Sequence, residues 1–231
     1  MNRRLILFGL FAALGLALLL ALGIWQVQRM GWKQALLAEM DARLLATPTP
    51  LPTSIDPARH AFQAVTATGA FTGEDRLVMA SRKGTGAGWL VLAAFETAEG
   101  RRLLVDRGFL PDAARDRPRP ETQATITGNL HWPAETDRFT PAPDRTRGLW
   151  FARDVPALAA ELNTEPALII LRTTTEPSPP AQPTPLDTSL VPDNHLNYAI
   201  TWFSLAAIWA GMTAVLLRRI RRQHAQDRPA E

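Results

Sequence analysis

Two long apolar runs stand near the ends of the chain, and a mixed polar segment lies between them. Residues 5–25 are apolar and uncharged, while residues 195–217 begin with a polar turn and then continue apolar. A helix of about 20 apolar residues crosses the hydrocarbon core of a bilayer. The pattern therefore predicts two transmembrane helices, which anchor the chain in a lipid bilayer.

The first run predicts an uncleaved anchor rather than a signal peptide. It is longer than the apolar region of a signal peptide, and no small-x-small cleavage site follows Trp25. Strong helix formers continue after this run. The span at residues 5–25 is therefore expected to extend as one helix to about residue 46, where Thr47 and Pro48 end it.

The segment between the two runs predicts a β domain. Short apolar or alternating stretches separated by turn residues are typical of antiparallel strands, and proline-rich connectors at residues 47–58 and 176–185 frame them. Asp154 and Pro156 predict one short helix at residues 154–163. The predicted fold class is a membrane protein with two transmembrane helices flanking a mainly antiparallel β domain, barrel-like or a sandwich. The strand segments are residues 62–71, 77–80, 89–95, 102–107, 124–132, 149–151 and 167–172.

The distribution of charge predicts an orientation. The 231-residue chain has a net charge of +3, yet residues 26–197 hold 18 basic and 20 acidic residues, so the positive excess lies in the tails. Short positive tails beside apolar spans stay in the cytoplasm. We therefore expect two passes through a membrane, with both tails on one side and the central segment facing outward, into the periplasm of a bacterium or the intermembrane space of a mitochondrion. Of these settings we expect a bacterial inner membrane, with residues 1–4 and 218–231 cytoplasmic and residues 47–191 periplasmic. The same distribution argues against nucleic acid, and the lack of cysteine excludes disulfides and thiolate chemistry.

The chain carries no motif of a known catalytic class, such as a nucleophile elbow, paired catalytic carboxylates or HExxH, so we expect no enzyme. One of its four histidines, His195, falls in the first turn of the second span. A neutral imidazole is a good ligand for heme iron, and Tyr198 and Trp202 could flank the macrocycle. The alternative is that His195 only caps the helix and hydrogen-bonds there. Spacings of three and four place on one helical face His195, Tyr198, Trp202, Leu205 and Trp209.

The first helix offers a second set of candidates just beyond its span. Trp25 and Arg29 share a helical face, where the ring suits the membrane interface and the guanidinium suits a headgroup phosphate. We expect the two spans to pack on each other and to bring Trp25 and Arg29 near His195. The small residues that permit such packing are Gly9, Gly15, Gly23 and Gly211.

Four segments in order carry a family resemblance: LGIWQVQRMGWK (22–33), VDRGFLP (105–111), LWFARDVPAL (149–158) and NHLNYAITWFSLA (194–206). Together they resemble the Surfeit locus protein 1 family of cytochrome c oxidase assembly factors, over nearly the whole chain. The chain departs from the family pattern at Trp89 and His131, where that family often has Tyr and Arg.

The resemblance implies a non-catalytic assembly factor that binds heme a and assists its insertion into subunit I of cytochrome c oxidase. Heme a synthase is a further implied partner. The family's suspected iron ligand corresponds to His195, and its motif tryptophan to Trp202. Arg29 and Arg107 match motif arginines, and either could bind a heme propionate. The alternative is a headgroup contact for Arg29 and a salt bridge at the end of a strand for Arg107. A function without heme also remains open, namely a scaffold that holds an oxidase intermediate through protein contacts.

Overall fold

The computed structural model describes residues 3–226, apart from the side chains of Arg4, Leu5, Leu190 and residues 224–226. The chain forms two compact units: a two-helix unit of Met1–Ala38 with Ser189–Glu231, and a β unit of Glu39–Thr188. The helices and strands are α1 (Arg3–Leu44), β1 (Thr49–Pro50), α2 (Pro57–His60), β2 (Ala64–Arg82), β3 (Gly86–Thr97), β4 (Arg102–Pro111), β5 (Thr122–His131), β6 (Leu149–Trp150), α3 (Val155–Leu162), β7 (Leu168–Thr174) and α4 (His195–Gln226).

The helices α1 and α4 are both long and apolar enough to cross a membrane. Only 11% of the apolar window of α1 and 6% of that of α4 is buried within the protein. Most of their large apolar side chains are therefore exposed on the surface of the protein, as is expected of helices that face lipid. The two candidate spans at the ends of the chain, with a mostly β unit between them, confirm the predicted fold class.

The β unit is one mixed sheet that curls back on its longest strand. Antiparallel pairs join β2 to β3, β3 to β4, β5 to β7 and β2 to β5, while β4 pairs with β7 in parallel. The long β2 allows the curl, because residues 64–71 pair with β5, whereas residues 69–71 and 75–82 pair with β3. Two short strands, β1 and β6, add to β2 in parallel.

The strand β2 replaces two strands that the sequence pattern separated at Gly73. The ladder is irregular between Phe71 and Asp75, and Gly73 has a φ of 80°. A glycine with positive φ inside a strand is typical of a bulge, where the strand bends and continues. The turn residues at this place therefore mark a bend and not an end.

The central strands are buried on both faces. Successive side chains of a strand point to opposite sides, so Leu103 and Val105 of β4 enter one apolar cluster while Leu104 enters another. The second cluster includes Leu158 and Leu162 of α3, which covers that face. Burial on both sides explains why these strands are apolar without alternation.

The short helix α3 begins and ends as its sequence predicts. The Asp154 side chain accepts a hydrogen bond from the Ala157 amide, Pro156 lies in the first turn, and Asn163 ends the helix in the left-handed conformation. A second short helix, α2, whose N-cap is Asp56, was not predicted from the sequence. The amide of Asp56 donates to Nδ1 of His60, 2.8 Å away, so His60 belongs to this helical turn.

Candidate functional site

The packing of α1 against α4 relies on glycines that make room for aromatic rings. A Cβ atom at Gly23 would lie 2.6 Å from the Phe203 ring, and one at Gly15 would lie 2.9 Å from Trp209. The indole Nε1 of Trp209 donates a 2.9 Å hydrogen bond to the carbonyl of Ala12. Two of the four glycines predicted to lie between the spans therefore do so. A Cβ at Gly9 or Gly211 would meet no described atom within 4 Å.

His195 lies at the first residue of α4 and is joined to α1 through Gln26. Its Nδ1 is 2.8 Å from Oε1 of Gln26, whose residue is only 9% exposed. The turn before α4 is fixed on both sides, since Asp193 Oδ1 accepts from the His195 amide at 3.2 Å and the Lys33 ammonium donates to the Pro192 carbonyl. The imidazole is thus held by α1 and by its own N-terminal turn.

The other predicted site residues surround this pair unevenly. Trp202 is half-buried on the same face of α4, two turns below His195. Tyr198 is 56% exposed and Trp25 is 53% exposed. The Arg29 guanidinium is exposed and stacks on the Trp32 ring, 4.1 Å from its centroid. The structure therefore brings Gln26, rather than Trp25 or Arg29, into hydrogen-bonding contact with His195.

The face of α4 that is buried differs from the face predicted from the sequence. The residues buried or half-buried along it are His195, Ala199, Trp202, Ala206 and Trp209. This spacing of four and three is typical of a seam between two packed helices. Tyr198 and Leu205, which also share a helical face with His195, lie beside the seam and are exposed.

The hydrogen bonding of the His195 imidazole suits a role as a single axial ligand for heme iron. An amide oxygen only accepts hydrogen bonds, so Nδ1 of His195 must donate to Gln26. In the neutral ring the lone pair then lies on Nε2, the atom that can bind a metal. The described residues 3–226 contain no cluster of three or more His, Cys, Asp or Glu side chains that could hold a bare metal ion.

Two other motif segments hold the β unit together. Arg107 is 2% exposed, donates to both Glu176 oxygens at 2.6 and 2.7 Å, and lies 4.0 Å from the Phe71 ring centroid. Its Nε is buried without a hydrogen-bond partner among the described residues. Of the two alternatives for Arg107, the structure shows the salt bridge.

The residue before Arg107 joins the two motifs to each other. Asp106 Oδ2 accepts from Arg153 at 3.1 Å, and Oδ1 accepts from the Gly108 amide at 2.9 Å. Burial raises the pKa of Asp106 despite the opposing charge of Arg153. Arg153 also donates from Nε to the exposed Glu135 at 2.9 Å, so a chain of charges runs from the buried Asp106 of β4 through the loop before α3 towards the surface.

The same chain of charges affects His131 at the end of β5. Burial first, and the charge of Arg153 second, lower the pKa of His131. Burial alone would raise the pKa of Glu135, but hydrogen bonds from Arg153 hold it below its ordinary range. This cluster of charged residues could not be predicted from the sequence, because its members are distant along the chain. The two charges in VDRG (105–108) did indicate that Asp106 and Arg107 need partners, since an unpaired buried charge is unfavourable.

These features define a class of protein: two terminal candidate membrane helices flank a curled β unit, and a histidine at the start of the second helix is held by the first. The model of the SURF1 family matches residues 13–207. The chain belongs to this family, which confirms the family inferred from the four motifs.

Named relatives support the assignment over most of their lengths. Surfeit locus protein 1 of Rattus norvegicus is 29% identical over 212 residues, covering 80% of this chain and 68% of the relative. The Homo sapiens protein of the same name is 30% identical over 213 residues, with 80% and 69% covered. A SURF1-like protein of Monosiga brevicollis is 30% identical over 220 residues, with 86% and 83% covered.

Proposed function

We propose that this chain is a membrane-anchored assembly factor for heme-copper cytochrome c oxidase, and that it holds heme a at His195 before the heme enters subunit I. Membership of the SURF1 family and the two candidate membrane helices support the assembly role. The observation that carries heme binding is the 2.8 Å contact between His195 Nδ1 and Gln26 Oε1. It leaves the metal-binding lone pair of the neutral ring on Nε2.

Heme a is the cargo in this proposal, and the chain catalyses no reaction on it. His195 supplies the axial nitrogen, and Trp202 and Tyr198 supply aromatic surface next to it on α4. Trp25 adds a further ring from α1, and Arg29 supplies a cation that suits a heme propionate. Heme a synthase, as the source of the cargo, and subunit I, as its acceptor, are the protein partners.

The proposed setting is a bacterial inner membrane crossed twice. The basic residues after the second span, RRIRR at 218–222, favour a cytoplasmic position for the C-terminal tail. An even number of spans puts the N-terminal tail on the same side and the β unit in the periplasm. His195, at the start of the second span, then lies at the periplasmic surface of the membrane.

The heme assignment is tested by co-purification. The full-length chain is expressed in cells that make heme a, purified in detergent, and analysed for bound heme by absorption spectroscopy and extraction. We expect heme a with the wild-type protein, a loss of most of it with His195→Ala, and no loss with His224→Ala. The control removes a histidine from the same helix near its other end. Equal heme in wild type and His195→Ala would contradict the assignment.

A scaffold function is the second candidate, and the β unit favours it. Asp106, Arg107 and Arg153 of two motifs all form ion pairs within the β unit, so those motifs stabilise its fold rather than present reactive groups. A scaffold would crosslink to subunit I through the β unit whether or not heme is present. Crosslinking that survives in His195→Ala, together with wild-type protein devoid of heme, would favour this function over heme handling.

A further inference from the structure

We infer that Gln26 is a positioning residue for His195: its amide oxygen keeps the proton on Nδ1 and so presents Nε2 to the heme iron. This inference rests on the proposed heme site and extends it to a residue of the first helix. The structural basis is a buried amide of α1 in hydrogen-bonding contact with the imidazole. Gln26 itself has no contact with the iron in this proposal.

The burial of Gln26 needs an explanation, because most of α1 is exposed. Gln26 is 9% exposed, whereas the neighbouring Trp25 is 53% exposed. A buried amide is unfavourable unless it is hydrogen-bonded. The His195 ring provides the hydrogen bond at 2.8 Å. Gln26 is therefore stable at this position because His195 is opposite.

Contacts on either side fix the position of this hydrogen bond. Three residues before Gln26, the ring of Phe203 occupies the space that a side chain at Gly23 would take. Seven residues after Gln26, Lys33 donates to the carbonyl of Pro192, three residues before His195. These contacts hold the start of α4 beside α1, so the amide and the imidazole meet in one arrangement.

The chemical consequence concerns which ring nitrogen carries the proton. A neutral imidazole has one N–H and one lone pair, and its hydrogen-bond partner selects between the two tautomers. Because Oε1 of Gln26 can only accept, the proton is held on Nδ1. Histidines that bind metals commonly donate this second N–H to an acceptor, which fixes the ring plane and raises the basicity of the ligating nitrogen.

The first test needs no heme. The four histidines of the chain are labelled with ¹⁵N, the full-length protein is placed in lipid nanodiscs, and the His195 signal is assigned by its loss in His195→Ala. At a pH where the ring is neutral, we expect the Nδ1–H tautomer in the wild type and a shift towards Nε2–H in Gln26→Leu. The control is Gln28→Leu, which removes an exposed glutamine from the same helix and should leave the tautomer unchanged. An Nε2–H tautomer in the wild type would overturn the inference.

The second test reads the iron directly in protein loaded with heme. Loss of an outer hydrogen bond to a metal ligand lowers metal affinity by about 10- to 100-fold. We expect the affinity for heme to fall by that factor in Gln26→Leu, and the reduction potential of the bound heme iron to rise. In Gln26→Glu, a stronger acceptor should preserve binding and lower the potential. Potentials and affinities that are unchanged in both variants would show that Gln26 only joins the helices.

The two tests separate failure of the inference from failure of the proposed function. A wild-type protein that binds heme with His195 in the Nε2–H tautomer would overturn the role of Gln26 and leave the proposed function standing. A wild-type protein with the Nδ1–H tautomer but no affinity for heme would overturn the proposed function, and with it the role of Gln26 at iron. The hydrogen bond would then be a helix–helix contact alone.

Discussion

The two units bury polar side chains in opposite ways. In the β unit the buried pair is ionic, Arg107 with Glu176, and the buried Asp106 is likewise neutralised by a partly exposed ion, Arg153. In the two-helix unit the buried pair is an amide and an imidazole, Gln26 and His195. Burying an ion costs several kcal/mol and needs a partner of opposite charge, while a neutral group needs only a hydrogen bond.

This difference separates a structural role from a chemical one. An arginine that donates to both oxygens of a buried carboxylate stabilises the fold through that ion pair. Removing either partner leaves a buried charge. A neutral imidazole is satisfied on one side by one acceptor and keeps a lone pair on its other nitrogen. The motif residues of the β unit therefore maintain its fold, and His195 keeps a group available for a ligand.

The largest effect is expected from breaking the buried ion pair of the β unit. Arg107→Met or Glu176→Gln leaves one partner buried and uncompensated, which should lower the free energy of unfolding by about 3–5 kcal/mol. Hydrogen exchange of the β4 amides in the full-length protein measures this loss. The double variant Arg107→Met/Glu176→Leu should recover much of it, because no unpaired charge remains.

A partly exposed ion pair in the same unit provides the matched control. Arg101 donates to both oxygens of Glu165, but its side chain is 22% exposed and that of Glu165 is 35% exposed. Solvent screens such pairs, so Arg101→Met should cost about 1 kcal/mol or less. Equal losses at the two sites would mean that burial does not distinguish them, contrary to the comparison of the units.

The next effect concerns the packing of α1 on α4. In Gly23→Leu the new side chain must displace the Phe203 ring, and overpacking of this kind typically costs about 1–3 kcal/mol. The displacement should also loosen the bond between Gln26 and His195. Denaturation of the helix pair by SDS and the tautomer of His195 both report it. Gly9→Leu, where the added side chain meets no described atom, should change neither quantity.

The elements that could be predicted from the sequence are those set by local patterns. The two spans follow from their length and apolarity, and α3 follows from Asp154 and Pro156, since caps act within one turn. The contacts of Gly15 and Gly23 were also predictable, because glycine is the residue that leaves room for a ring, whereas the same prediction was wrong for Gly9 and Gly211. The continuous β2 was missed because Gly73 is compatible with both a turn and a bulge.

The candidate site was predictable only in part, because contacts between distant residues decide it. The helical period puts Tyr198 and Ala199 on either side of His195, and only the position of α1 selects Ala199 for the seam. Gln26 near the end of a span is an ordinary interfacial residue until its partner is known. Arg153 and Asp106 lie in different motifs, so their pairing also required the fold.

Helix caps allow a smaller comparison between the units. Asp154 caps α3 through the Ala157 amide, and Asp193 accepts from the first amide of α4. Asp154→Ala should cost about 1 kcal/mol, because loss of an N-cap has that typical effect. For a unit of this size the melting temperature of the β unit should fall by about 2–4 °C. Asp193→Ala should leave that temperature unchanged, and an equal fall would mean that the two units unfold together.

The smallest effect is a change in the pH dependence of the β unit. Burial and the charge of Arg153 lower the pKa of His131 from its ordinary value of 6.5. The unfolded chain then binds a proton at His131 more readily than the folded chain does, so the β unit should lose stability as the pH falls below about 6.5. His131→Gln should remove this part of the slope in hydrogen-exchange measurements made between pH 5 and pH 7.

The other ionisable groups of the cluster do not cause a loss of stability in this pH range. The pKa of Glu135 is held below its ordinary value of 4.5, so its stabilising contribution is fully present above that pH and is lost only in stronger acid. Asp106, whose pKa burial raises, favours the folded state as the pH falls and so acts in the opposite direction. Both remain in His131→Gln, so the difference between the two profiles isolates the imidazole. Identical profiles would mean that His131 titrates alike in the folded and unfolded chains, and the buried charges of the β unit would then not extend to it.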